Sequence, residues 1–365
     1  MNADSFVIVG NGSGGCAAAA TIAQRGIPVQ LYGRDAAKTE RFRAAGGITL
    51  VEGAARTTTT NVEFVSELDG AAAPGARIVV MVPTSAIGQY ARMLAPHLRP
   101  GSAVLLAPGH TGGALAFRTV VRSLRPDLTD VVIGETCTLP FVARLTGPTE
   151  VAVWRRLDNL LTGVLPATAT AALVSTFAAA FDGLVPAGSV IESSLSNLNA
   201  VMHPAGMIGN VGWIEATSGG FRFYREGVTP GVARIMDGVD RERLAIGSAY
   251  GVELPGFRDM FHAAGLITQE VWARHDTYLA VHHSGPNSEI MAPGSLRDRY
   301  VEEDVGAGLV AMRALARCVE VPTPVIDALI ALAGVVNDTD YLSAGMTAAR
   351  LGIDGLDRDR LLASL

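Results

Sequence analysis

The stretch SFVIVGNGSGGCAAAATIAQRGIPVQLYG, residues 5–33, decides the fold. It opens with a short β-branched run, turns at GNGSGG (10–15), continues as an alanine-rich helix and closes on a second apolar run. Strand, G-x-G-x-x-G, helix and strand within about thirty residues form the fingerprint of a dinucleotide-binding βαβ unit. Gly10 permits the tight turn, Gly12 lets the backbone approach a pyrophosphate, and Gly15 lets helix and strand pack closely. Ser13 and Gly14 complete the loop, and the helix N-terminus faces the phosphates. An acid at the end of the second strand would bind a ribose 2′-hydroxyl, whereas an arginine without one suits a 2′-phosphate. Gly33 stands at that place, Arg34 follows, and Asp35 lies further on. The pattern points to NADP, with NAD as the alternative.

Further strand-like runs follow at 76–85 (ARIVVMVPTS), 102–113 (SAVLLAPGHTGG) and 130–140 (DVVIGETCTLP), separated by helical stretches. Continuous apolar strands alternating with helices predict a Rossmann-type, doubly wound parallel sheet. In such sheets ligands lie beyond the carboxyl ends of the strands. Pro83, Thr84 and Ser85 are therefore expected against the cofactor, as are Gly109, Thr111, Gly112 and Gly113. Glu135 closes its own strand and should point at the same crevice. After about residue 185 the strand signals stop, and segments such as VGAGLVAMRALARCVEV show helical periodicity. The expected architecture is a dinucleotide-binding domain over 1–186 and an all-helical substrate domain over 187–365, with the active site in the cleft between them.

The bulk numbers agree with such an enzyme. At 365 residues, two domains are the first expectation. A net charge of -6 without any Lys/Arg-rich run argues against nucleic acid or an anionic membrane as partner. Apolar runs are too short or too interrupted to span a bilayer, and the N-terminus has no signal-peptide pattern. Cys16, Cys137 and Cys318 form neither a disulfide framework nor a metal pattern. A cytoplasmic protein is expected.

Hydride transfer to a carbonyl or imine needs a proton donor near the nicotinamide. Many two-domain dehydrogenases supply a lysine from the helical domain, but the only lysine here is Lys38, in the first half. Histidine, which titrates near neutrality, is the natural substitute. His203 has the best setting: SNLNAVMHPAGMIGN (196–210) places it beside a helix-interior proline, with Asn199 on the same face. Pro204 should kink that helix at a cost of about 3 kcal/mol, a violation of the kind expected at functional sites. A carboxylate should hold the imidazole's tautomer, and Glu302, Glu303 and Asp304 are the candidates among which spacing does not choose.

Three segments together, GETCTLPFVAR (134–144), NLNAVMHPAGMIGN (197–210) and RYVEEDVGAGLV (299–310), resemble the signatures of the opine dehydrogenases, the octopine/nopaline dehydrogenase family. The likeness runs in order over nearly the whole chain. It implies that His203 is the acid–base residue, Asp304 its carboxylate partner and Asn199 a substrate-side asparagine. Glu135 would then meet the amino substrate, and Arg299 would hold a substrate carboxylate. The implied reaction condenses an L-amino acid with a 2-oxo acid such as pyruvate or 2-oxoglutarate and reduces the imine with NAD(P)H. Arg144 is a second guanidinium available for the two carboxylates of such a product. A homodimer is expected by the same likeness. A 2-oxo acid reductase of the ketopantoate reductase type is the alternative, though it relies on a lysine that this chain lacks. From another class, the chain could bind NADP(H) as a sensor without turnover.

Overall fold

The computed structural model describes residues 5–365. The chain divides into two compact units, one running to Ser194 and including Leu365, the other Leu195–Ser364.

In the first unit the strands are β1 (Phe6–Val9), β2 (Val29–Tyr32), β3 (Ile48–Glu52), β4 (Ala55–Thr59), β5 (Val62–Val65) and β6 (Arg77–Val80). They continue with β7 (Ala103–Leu106), β8 (Val132–Thr136), β9 (Phe141–Leu145), β10 (Glu150–Arg156), β11 (Leu160–Leu165) and β12 (Leu184–Pro186). The main sheet has the order β12-β11-β8-β7-β6-β1-β2-β5. Its strands from β5 to β8 are parallel, and β11 returns antiparallel to β8. A Rossmann-type core thus carries one reversal, because a short connection after β10 leads β11 back along β8. The central strands are buried on both faces, which is why they read as unbroken apolar runs.

A second sheet, β4-β3-β10-β9, had no counterpart in the sequence reading. Its two halves join through a parallel pairing of β3 with β10. Helix Ser13–Gln24 contacts strands of both sheets, and Gly15 through Ala23 are all buried. Alanine suits a helix walled on two sides, since larger side chains would have no space to enter.

The second unit is helical, with one isolated bridge between Arg222 and Met291. Its longest helix, Pro230–Tyr250, starts at a Thr229 cap with proline in its first turn and stops at Gly251 in a left-handed conformation (φ +81°). Helix Asn199–Ile208 packs against it, against helix Pro324–Asn337 and against the π-helical segment Asp304–Leu309. That helix carries Pro204 in its second turn without ending there. No helix among the described residues is long and apolar enough to cross a membrane.

Candidate active site

The glycine loop of the first unit is shaped as the nucleotide reading requires. A Cβ on Gly15 would lie 1.7 Å from the Gly10 carbonyl oxygen, so this position has room only for glycine. Gly10 itself adopts φ +114°, beside the Met81 carbonyl. Gly12 differs: it is exposed, and a Cβ there would meet nothing within 4 Å. The protein imposes no steric need for glycine at 12, so the space left open suits a ligand's phosphates. Ser13 accepts a hydrogen bond from the Leu145 N–H (3.1 Å), and Gly14 packs on Met81.

At the ribose end, Gly33 is hemmed in by Asn11. A Cβ on residue 33 would lie 1.9 Å from Asn11 Nδ2, a buried donor without a protein partner. Asn11 thus fills the volume that an acidic side chain at 33 would enter. Asp35 is occupied as the cap of helix Ala36–Ala44, accepting from the Lys38 N–H. Arg34 is exposed, donates to Gln89 (3.0 Å) and lies 5.1 Å over the Tyr90 ring. These residues fit a 2′-phosphate better than a bare ribose hydroxyl pair, since the acid is excluded and a guanidinium is held in place.

Glu135, the last residue but one of β8, is fully buried. One of its oxygens accepts from the hydroxyls of Ser193 (2.9 Å) and Ser194 (2.7 Å), the other from the Ala114 N–H (2.7 Å). Ser194 in turn accepts from the Gly112 N–H (2.9 Å). Gly109 leaves room for the carboxylate, which a Cβ there would meet at 2.9 Å. Glu135 therefore clamps the loop 109–113 onto the start of helix Gly113–Leu124. Three of the chain's own donors thus reach its two oxygens, two on one and one on the other. Burial lifts its carboxyl to about 7, against the lowering effect of those donors. Pro83 and Thr84 follow β6, and Thr84 bonds the His110 ring at 2.8 Å. Arg144 lies exposed on β9.

In the second unit, His203 and Asp304 meet across 101 positions of sequence. Nδ1 of His203 lies 2.7 Å from Asp304 Oδ2, with the side chains 5% and 3% exposed. The Cβ of a residue at 308 would come within 2.8 Å of Ala200, so Gly308 lets the π-helical segment that starts with Asp304 press close to the histidine's helix. Such π turns recur at functional sites. Of the neighbouring acids, Glu302 pairs with Arg297 (3.9 Å) and Glu303 with Arg299 (3.8 Å). Successive helical residues point in different directions, so only one of the three acids can face the imidazole.

Two tyrosines complete the cluster, and the sequence reading missed both. Tyr224 Oη lies 2.8 Å from His203 Nε2, and the Tyr300 ring stacks on the imidazole at 3.6 Å with an interplanar angle of 6°. Burial holds the Tyr224 phenol well above its ordinary range, and raises Tyr300 as well. Tyr300 has a sequence trace, four residues before Asp304 on the same helical face. Tyr224 has none. A carboxylate can only accept, so His203 Nδ1 carries the proton and Nε2 receives the Tyr224 hydroxyl. Arg299 is half exposed next to Tyr300, and Asn199 opens the helix one turn before His203. Cys16 and Cys137 are free, and burial pushes their thiols up to about 12 and about 11, away from nucleophilic use near neutral pH.

Residues 186–337 match the family described as NAD/NADP octopine/nopaline dehydrogenase, alpha-helical domain. Residues 5–132 match the N-terminus of NAD-dependent glycerol-3-phosphate dehydrogenase. The opine dehydrogenase of Arthrobacter sp. (strain 1C) is 31% identical over 359 residues, which cover 98% of this chain and 97% of that protein. Octopine dehydrogenase solved with NADH and agmatine is similar at a TM-score of 0.81 and 19% identity, over 99% of this chain and 98% of that one. Yersinopine dehydrogenase with NADP+ bound gives 0.75 at 16% identity, over 100% and 98%. At these identities the two solved structures speak to the fold.

Proposed function

The chain belongs to the opine dehydrogenase family, and on that premise we propose that it joins an L-amino acid to a 2-oxo acid such as pyruvate or 2-oxoglutarate, with NADPH preferred over NADH. It is an NAD(P)-dependent oxidoreductase acting on CH–NH groups. The product of the proposed reaction is a secondary amine dicarboxylate. Residues 1–186 serve as the dinucleotide-binding domain and 187–365 as the substrate domain of this reading, in a cytoplasmic enzyme.

The single observation that carries the reading is the buried hydrogen bond between His203 and Asp304. Asp304 fixes the tautomer that leaves Nε2 basic and stabilises the imidazolium that forms when Nε2 takes a proton. An amino acid enters as an ammonium ion, which cannot attack a carbonyl until it loses a proton. His203 takes that proton and later returns it to the hydroxyl that leaves as water. When bound, the nicotinamide supplies the hydride that reduces the resulting imine. Asn199 is assigned to the substrate side. Arg299 and Arg144 are assigned to substrate carboxylates, for which a guanidinium's paired donors suit. Glu135 is assigned to the glycine loop, which its hydrogen bonds hold, and to the amino substrate by the family likeness. Preference for NADPH is supported by Asn11, which bars an acid at 33, and by Arg34 on its shelf of Gln89 and Tyr90.

The test is consumption of NADPH, and separately NADH, with each 2-oxo acid and a panel of L-amino acids, against an oxo-acid-alone control. Oxidation that requires both substrates is the expected result. Oxidation with the oxo acid alone would move the chain to the ketopantoate-reductase type of chemistry, and tight cofactor binding without turnover would leave a sensor.

A further inference from the structure

We propose that Tyr224 is a further catalytic residue, whose hydroxyl relays protons between the substrate and His203 Nε2. This rests on the opine reading above and concerns the path that the proton takes within it.

The only basic lone pair on His203 is already engaged. Nδ1 is held by Asp304 and Nε2 by Tyr224, both under 3 Å. The ring has no freedom to present Nε2 elsewhere, since Tyr300 covers one face at 3.6 Å and Phe223 approaches edge-on at 6.3 Å. Tyr224 is equally fixed. Its ring stands at 89° to Phe223, and its turn, Phe223–Gly227, is pinned at both ends. The Phe223 N–H donates to the Ile290 carbonyl (2.8 Å), and Asn210 Nδ2 bridges the carbonyls of Gly206 and Gly227 (2.8 Å each). His203 and Tyr224 are 4% and 3% exposed, and the Tyr224 hydroxyl occupies the direction in which Nε2 would receive a proton.

A phenol hydroxyl can accept one proton while donating another. The substrate ammonium gives a proton to Tyr224 Oη as the Tyr224 proton passes to Nε2, and the imidazolium rests against Asp304. The amine's freed lone pair then forms the C–N bond while the carbonyl π pair moves to oxygen, and a nitrogen-bound proton shifts to that oxygen. The carbinolamine so formed loses water when the imidazolium proton returns through Tyr224 to its hydroxyl. The C–O bond breaks and the nitrogen lone pair closes the iminium. Tyr224 and His203 end as they began. Because burial holds the Tyr224 phenol high, both transfers pass through it in concert without storing a phenolate.

Tyr224→Phe keeps the ring and removes the relay. The expected result is a fall in kcat of roughly 10²-fold with amine plus 2-oxo acid, with KM values and NADPH affinity within about twofold. Reduction of a preformed cyclic imino acid, which needs no carbinolamine dehydration, should be spared. A Tyr224→Phe enzyme with at least half the kcat of the parent overturns the relay, as does equal loss on both substrate types. If that variant fails to fold, 3-fluorotyrosine at 224 replaces it; a more acidic hydroxyl should shift the pH profile of kcat, and an unshifted profile overturns the proposal. His203→Ala separates the two levels. Loss there with full activity in Tyr224→Phe sinks only the relay, whereas absence of two-substrate turnover in the unaltered protein sinks the opine reading and the relay with it.

Discussion

The two units each bury a carboxylate at a functional position, and they surround it in opposite ways. Glu135 takes its hydrogen bonds from neutral donors, two hydroxyls and one backbone N–H, with His110 as a weaker electrostatic neighbour. Asp304 meets an imidazole that can itself become a cation. Neutral dipoles do not fully replace water around a buried charge, so Glu135 is pushed toward protonation near neutral pH. Its value lies in holding a loop. Asp304 is placed where a positive charge develops during a proton transfer, so its charge is used in the reaction itself. The contrast extends to the sites around them. The first unit works largely by omitting side chains, through Gly10, Gly12, Gly15 and Gly33. The second works through side chains packed to contact, His203, Asp304, Tyr224 and Tyr300.

Removing a charge from the second site should therefore do the greatest harm. Asp304→Asn puts an amide where a carboxylate accepted, and its N–H can bind the wrong tautomer of His203. Turnover should fall on the order of 10⁴-fold while NADPH affinity, read by fluorescence titration, stays as it was. A variant with near-native kcat would erase the difference between the two carboxylates.

Removing the charge from the first site should act on stability and its pH dependence. Glu135 is lifted from 4.5 to about 7, so between those values the folded chain keeps a proton that the unfolded chain has lost. Stability should accordingly be fully present below pH 4.5, fall as pH rises through that window and level off above about 7. The slope is at most about 1.4 kcal/mol per pH unit for one group. Glu135→Gln should flatten the curve, as measured by denaturant midpoints at several pH values. Identical slopes for the two proteins would show that Glu135 does not carry the effect.

Adding a side chain to the first site gives the smallest effect and the sharpest contrast. Gly33→Asp alone collides with Asn11 and should weaken NADPH binding about tenfold, roughly 1.4 kcal/mol, without gaining NADH. Combined with Asn11→Gly the acid has room, and NADH affinity should rise above that of either single variant. Additive behaviour in this cycle would mean that the two positions do not share one volume.

The same contrast explains what the sequence made legible. The glycine loop is local, because every residue that shapes it lies within a single strand–helix–strand step. The position of Glu135 at a strand end could be foreseen for the same reason. Its partners Ser193 and Ser194, 58 and 59 positions away, could not. His203 stood out by residue type and by Pro204, yet spacing did not choose among Glu302, Glu303 and Asp304, since that depends on which way a π-helical start points. Tyr224 left no trace because nothing local distinguishes it from a core aromatic. The second sheet was missed because its strands mix buried and exposed positions instead of forming unbroken apolar runs, and because β3 pairs with β10 far along the chain, Thr49 with Glu150.

Helix Ser13–Gln24, enclosed by both sheets, has a thermodynamic consequence. The body of the helix, from Gly15 to Ala23, is held by burial before any ligand arrives, directly behind the open turn that would receive a cofactor's phosphates. Capture then demands no ordering of that helix, which lowers the entropic cost of association on the protein's side.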